Sequence, residues 1–291
     1  MDKKPITAYI LSLISFILII AGFIIYWKDS EYTVSKVFLQ TELAFFFVIP
    51  LFFVSLFLAT RGSLKARLVW LGLLSYPLFK IYEKTSHLEG FNSLFFVASF
   101  SFALFAIILG IYNLDIKDVK LSLPTRASCI RIAVLLMFGF VIIAGMYFST
   151  KYIYLNREII RSIYPDHIRN FSVICIPHVF IIFSGHRIIL GVLLPLFLLN
   201  TITILKRKMM GVILTPTVLT SGIVCLTSII SLNSIIPYCT NFKELVVFVL
   251  NYYNYPIYVL NIIIPILILL YLFFSSLFLV SYMVRIKELK S

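Results

Sequence analysis

The sequence predicts an all-α, polytopic transmembrane helix bundle of about eight spans with its N- and C-termini cytoplasmic, and three observations carry that prediction. The 291-residue chain is 61% hydrophobic and only 13% charged, with a mean hydropathy of +1.05, whereas soluble domains hold roughly 45–50% apolar and about 25% charged residues. Its apolar residues come in runs of about twenty, the length that crosses a ~30 Å hydrocarbon core at ~1.5 Å per residue. Its Lys and Arg fall between those runs, with an excess on alternate sides. Short loops leave no space for a folded soluble domain, which excludes a secreted enzyme, a nucleic-acid-binding module and a receptor with a large ectodomain. Residues 1–291 are expected to form one integral membrane domain.

The first span, residues 8–27, follows the basic pair Lys3-Lys4. This order is shared with signal peptides, but the run is long and no A-x-A cleavage pattern follows, so it reads as a retained span. Tyr26 and Trp27 at its end suit the headgroup level. The second span, 43–60, carries Pro50, with Glu42 read as a solvated residue at its outer edge. The third, 68–82, is the shortest and holds Lys80, the one charge within the eight runs, whose ammonium can snorkel to the interface. Topology requires this span, because without it the Lys117–Arg131 loop would change sides while Arg61, Lys65 and Arg67 would not. The fourth, 92–113, is followed by the polar stretch 114–131, which separates four spans from four.

The fifth span, 132–150, leads into an outer segment, 151–187, before the sixth at 188–205, which carries Pro195. The seventh, 210–232, carries Pro216 and the stripe Thr217, Ser221, Cys225 and Ser228 at helical spacing. The eighth, 258–284, contains Pro265, follows the tyrosine-rich stretch 251–258, and is closed by Arg285, Lys287 and Lys290. A ninth span over 171–183 would export the Lys206-Arg207-Lys208 cluster, so that stretch reads as interfacial or as an extension of the sixth helix. With eight spans, fifteen of the 25 basic residues and four of the 12 acidic ones lie on the cytoplasmic side. The formal charge of +13 is therefore topology and implies no nucleic acid. The bilayer is the expected partner, while a protein partner or a homo-oligomer stays open.

No Walker or GxGxxG phosphate loop, no HExxH and no GxSxG occurs, no cofactor is implied and no catalytic residue stands out. No clear tandem repeat is visible either. No carboxylate lies at membrane depth, where coupled transporters usually keep one. Prolines within five spans remove backbone donors and can either kink helices for packing or line a transport site. The seventh-span hydroxyls likewise admit helix–helix hydrogen bonding or a polar conduit. Pro195, Pro216, Thr217, Ser221 and Ser228 are thus candidates for pathway or packing roles. Cys175, His178 and His186 in the outer segment carry donors suited to zinc or copper. Their spacing matches no recognised metal motif, and interfacial side chains are the ordinary reading. Cys239, on the same side, can pair with Cys175 if the two meet in space.

The stretch Arg61-Gly62-Ser63-Leu64-Lys65-Ala66-Arg67-Leu68-Val69-Trp70-Leu71-Gly72, then Ser75-Tyr76 and Phe91-Asn92-Ser93-Leu94-Phe95-Phe96, resembles a family of uncharacterised prokaryotic polytopic integral membrane proteins. That family tends to carry RGSL-x-x-R-L-x-W-x-G followed by F-N-x-L-F. A second similarity runs from Leu190-Gly191-Val192-Leu193-Leu194-Pro195 through Lys206-Arg207-Lys208 to Met210-Gly211. Where family members often have an aspartate before the leucine and glycine, this chain has Ile189. The resemblance covers residues 61–231 and implies a fold without a known activity. The residues point to a non-catalytic transporter-like or permease-like component. The alternative is a structural or interaction membrane protein, and a lipid-acting enzyme using His178 and His186 comes third.

Overall fold

A computed structural model describes residues 5–29, 43–79, 92–114, 125–155, 187–229 and 256–285, which are helical apart from caps and turns and contain no strand. In chain order the helices are α1 (Ile6–Asp29), α2 (Leu43–Thr60), α3 (Leu64–Leu73), α4 (Asn92–Tyr112), α5 (Arg126–Leu155), α6 (Arg187–Leu205), α7 (Met209–Ile229) and α8 (Pro256–Arg285). Helices are what such apolar runs must form, because hydrocarbon offers the backbone N–H and C=O groups no partner outside the segment. Five of them contain stretches long and apolar enough to cross a membrane: Ile6–Ile25, Leu94–Tyr112, Arg126–Gly145, Met209–Thr227 and Ile266–Val284. The chain is a helical membrane protein.

The third expected span departs most from the sequence reading. It starts earlier, at Leu64, where the Ser63 hydroxyl accepts from the Ala66 N–H, and it is interrupted at Leu74 before a short helical stretch at 75–79. Pro77 has no N–H and its ring crowds the carbonyl of Leu73 four residues back. The Ser75 hydroxyl meanwhile donates to the Gly72 carbonyl at 2.7 Å. The fifth helix is longer than expected, running through Leu155 into the segment read as lying outside the membrane.

Cross-helix contacts fix the direction of every helix. Tyr9 donates to the Ala59 carbonyl and Phe16 stacks on Phe52, so α1 and α2 are antiparallel. The Trp70 indole donates to Ser12, and Tyr76 lies against Phe16, so the path through α3 runs parallel to α1. Ser15 and Ser99 exchange hydroxyl-to-carbonyl bonds of 2.8 Å, and Phe96 packs on Gly22, which makes α4 antiparallel to α1. In the second half, Asn200 donates to Thr215 and the Phe197 ring reaches Gly222, so α6 and α7 are antiparallel. Tyr282 donates to the Val212 carbonyl while Tyr271 reaches Gly222, so α7 and α8 are antiparallel. Tyr282 also interacts with Cys129, and Tyr271 packs on Phe138, which sets α5 against α8. The eight described helices alternate in direction. One end of the bundle therefore gathers Arg61, Lys65, Arg67, Arg126, Arg131 and the Lys206–Lys208 turn, together with the start of α1 and the end of α8.

The last four helices pack on one another, whereas in the first four α1 packs chiefly on α4 and α2 on α3, and α3 packs as closely on α7 as on α2. An internal repeat emerges at the two hairpins. In α2–α3 the Gly62 N–H donates to Ala59 and the Ser63 N–H to Leu58; in α6–α7 the Arg207 N–H donates to Ile204 and the Lys208 N–H to Thr203. Both are Schellman turns, with Gly62 at φ 99° and Arg207 at φ 52° in the left-handed position. Pro50 and Pro195 each lie twelve residues before that position. Side chains of little similarity hide this repeat, since lipid-facing apolar residues are interchangeable.

At the centre of the second half, Phe197 and Tyr271 lie between Gly139 and Gly222. A methyl added at Gly222 would fall 2.6 Å from the Phe197 ring and 3.0 Å from the Tyr271 hydroxyl, whereas one at Gly145 meets nothing within 4 Å. Gly222→Ala is expected to cost about 1–3 kcal/mol through overpacking, and Gly145→Ala to change stability by less than about 0.5 kcal/mol. Unfolding of the purified protein in mixed detergent micelles checks both.

Candidate functional site

The two half-bundles meet along α3 and α7, which run parallel. The Thr217 hydroxyl donates to the Leu68 carbonyl at 3.0 Å and the Ser221 hydroxyl to the Gly72 carbonyl at 3.3 Å. Gly72 allows this approach: a Cβ there would lie 2.5 Å from the Thr220 side chain and 2.8 Å from the Thr217 carbonyl oxygen. Small residues at such a crossing let backbones come close where no hydrophobic force drives helices together. The Gly72 carbonyl is also where α3 is interrupted, and it accepts from Ser75 as well as Ser221. Close by, Thr220 Oγ1 is buried without a hydrogen-bond partner. On α6, Asn200 is buried and uses its amide N–H on Thr215, leaving its Oδ1 without one.

The stripe read from the sequence is thus divided by the fold. Thr217 and Ser221 face α3, and Cys225 is buried beside Tyr271 of α8. Ser228 lies near the end of α7, and its side chain is outside the described set. Pro195 and Pro216 sit within α6 and α7, each freeing a carbonyl four residues back. Cys175, His178, His186 and Cys239 lie outside the described residues. Among the described ones, no group of three His, Cys, Asp or Glu could hold a metal ion. Compared with known proteins, the chain matches no family model, no curated relative and no solved structure.

Sequence reasoning missed the partner of the stripe, because nothing in a one-dimensional pattern says that Gly72 of a short third helix receives it. It also missed the polar contacts in the first half, namely Ser12 with Trp70 and Ser15 with Ser99. A signal that could have pointed to the stripe's partner is the matched spacing from Pro50 to Gly62 and from Pro195 to Arg207, which pairs the hairpin opening α3 with the one opening α7.

The seam should be weak at its hydroxyls and stiff at its glycine. Thr217→Val and Ser221→Ala are each expected to lower stability by about 0.6 kcal/mol, the usual size for such bonds in membrane helices. Gly72→Ala should cost about 1–3 kcal/mol. Thermal unfolding of the three variants in detergent ranks them. In the α6–α7 turn, Arg207→Gly is expected to raise stability by up to about 1 kcal/mol, because an L side chain is disfavoured in the left-handed region; the same unfolding assay reads it.

Proposed function

We propose that this protein is a non-catalytic, permease-like membrane component whose two half-bundles shift against each other along the α3–α7 seam. One observation carries the reading: the halves repeat the same proline-bearing hairpin in parallel and meet through small residues and hydroxyl–carbonyl bonds. Proline-interrupted helices in corresponding positions of two halves are the backbone pattern expected around a transport site. Unpartnered Thr220 and Asn200 oxygens near that contact give the interior polar groups free to exchange partners.

Eight spans with cytoplasmic termini form part of this proposal. The alternating helix directions support it, since a single added crossing between α5 and α6 would reverse α6. The concentration of Arg61, Arg126 and the Lys206–Lys208 turn at one end supports placing that end in the cytoplasm. Membership of the prokaryotic polytopic family rests on the Arg61–Gly72 pattern and brings no activity with it.

A static organiser of the membrane is the second reading, favoured by the commitment of Thr217 and Ser221 to α3 carbonyls. Cross-linking separates the two. In a background lacking the native cysteines, Leu68→Cys with Thr217→Cys places thiols across the seam. Proteoliposomes loaded with amino acids, sugars, inorganic phosphate and monovalent cations would then be followed for efflux. A permease-like protein should lose at least about tenfold in rate on oxidation and recover on reduction, with the fold intact. Efflux that never exceeds that of empty vesicles, or that ignores the cross-link, would leave the organiser.

A further inference from the structure

We propose that Arg67 and Tyr9, at the basic end of the bundle, form a seat for the phosphate of an anionic phospholipid. Arg67 stands one turn inside α3, about 6 Å beyond its Ser63 cap at ~1.5 Å per residue. It is half-buried, interacts with the phenol of Tyr9 on α1, and its Nε is buried without a hydrogen-bond partner. The Tyr9 hydroxyl itself donates to Ala59, which fixes the ring beside the guanidinium. A partly buried guanidinium is costly unless an anion accompanies it. The other cations at this end, Arg61, Arg126, Arg131, Lys206, Arg207 and Lys208, are exposed, and no carboxylate accompanies them among the described side chains there.

The chemistry required is a tetrahedral oxyanion that can accept two parallel N–H bonds, which the planar fork of arginine matches better than an ammonium does. The flanks select the source of that anion. Ile6 and Ile10 on α1, at 62% and 53% exposure, and Phe57 on α2, at 53%, are exposed on the two helices whose residues meet at the Tyr9–Ala59 bond. Arg61 folds back over the Phe57 ring with 4.1 Å from guanidinium carbon to centroid, so charge and apolar surface meet at one level. A ligand that combines a phosphodiester with acyl chains satisfies both, whereas a soluble anion satisfies only the guanidinium. The inference is independent of whether the protein moves a solute.

Native mass spectrometry of the full chain, titrated separately with phosphatidylglycerol and phosphatidylcholine, tests the seat. The wild type should bind phosphatidylglycerol about tenfold more tightly than phosphatidylcholine, as a bidentate charge-assisted pair implies. Arg67→Gln should remove that preference and Arg67→Lys should keep only part of it. Arg126→Gln, an exposed cation on α5, should change binding less than about twofold, since diffuse attraction is spread over many charges. Equal losses in Arg67→Gln and Arg126→Gln, or no preference in the wild type, would overturn the seat in favour of general surface charge. Displacement of the lipid by inorganic phosphate at millimolar concentration would overturn the lipid as occupant in favour of a soluble anion. If Arg67→Gln does not fold, Arg67→Lys and Tyr9→Phe decide: both should weaken phosphatidylglycerol binding severalfold while still folded, Arg67→Lys at unchanged melting temperature, and unchanged binding in either overturns the proposal.

Discussion

The close approach of α3 and α7 at Gly72 is the contact on which the rest of the arrangement depends. With no Cβ on Gly72, the hydroxyls of Thr217 and Ser221 reach main-chain carbonyls on the neighbouring helix. Those two bonds advance by four residues on both helices, which is what makes α3 and α7 parallel. Once that direction is set, the hairpins that open each of them must turn at the same end, α2, α4, α6 and α8 run antiparallel to the pair, and α1 and α5 run parallel to it. The clustering of positive charge is then a geometric result of one pairing, supplied by side chains too small to fill the space themselves.

Much of the bundle was legible in the sequence because the bilayer enforces a simple rule: a run long enough to cross must satisfy its own backbone. Helices are found at the expected 43–60, and to within a residue at each end of 92–113 and 188–205. The third resisted because two opposed signals overlap in it. Ser63 begins a helix that the charged Lys65 and Arg67 conceal from a hydropathy reading, while Pro77 and the hydroxyl of Ser75 interrupt it inside the apolar run. Hydropathy registers the second half of that element and is blind to the first.

The candidate site was legible only by halves. Helical spacing grouped Thr217 and Ser221 correctly on one face, but whether that face meets lipid, water or another helix is a long-range property. The partner lies about a hundred and fifty residues earlier in the chain, and glycine carries no periodic signature of its own. Arg67 was counted merely as a loop charge for orientation. Its special position depends on Tyr9 of a different helix, which the first-span reading treated as part of an apolar run.

The stagger between the two hairpins has its own physical outcome. Leu68 is five residues past Ser63 and Thr217 nine past Lys208, yet the two are bonded, so the second turn stands about one helical turn, or ~6 Å, farther out than the first. The matched turns therefore meet different surroundings. Gly62 lies about that much nearer the middle of the bundle, while Arg207 stands at its outer rim with its side chain exposed. One hydrogen-bonded turn placed at two heights in this way carries unequal corners, a residue without a side chain at the inner turn and a long cation at the outer one.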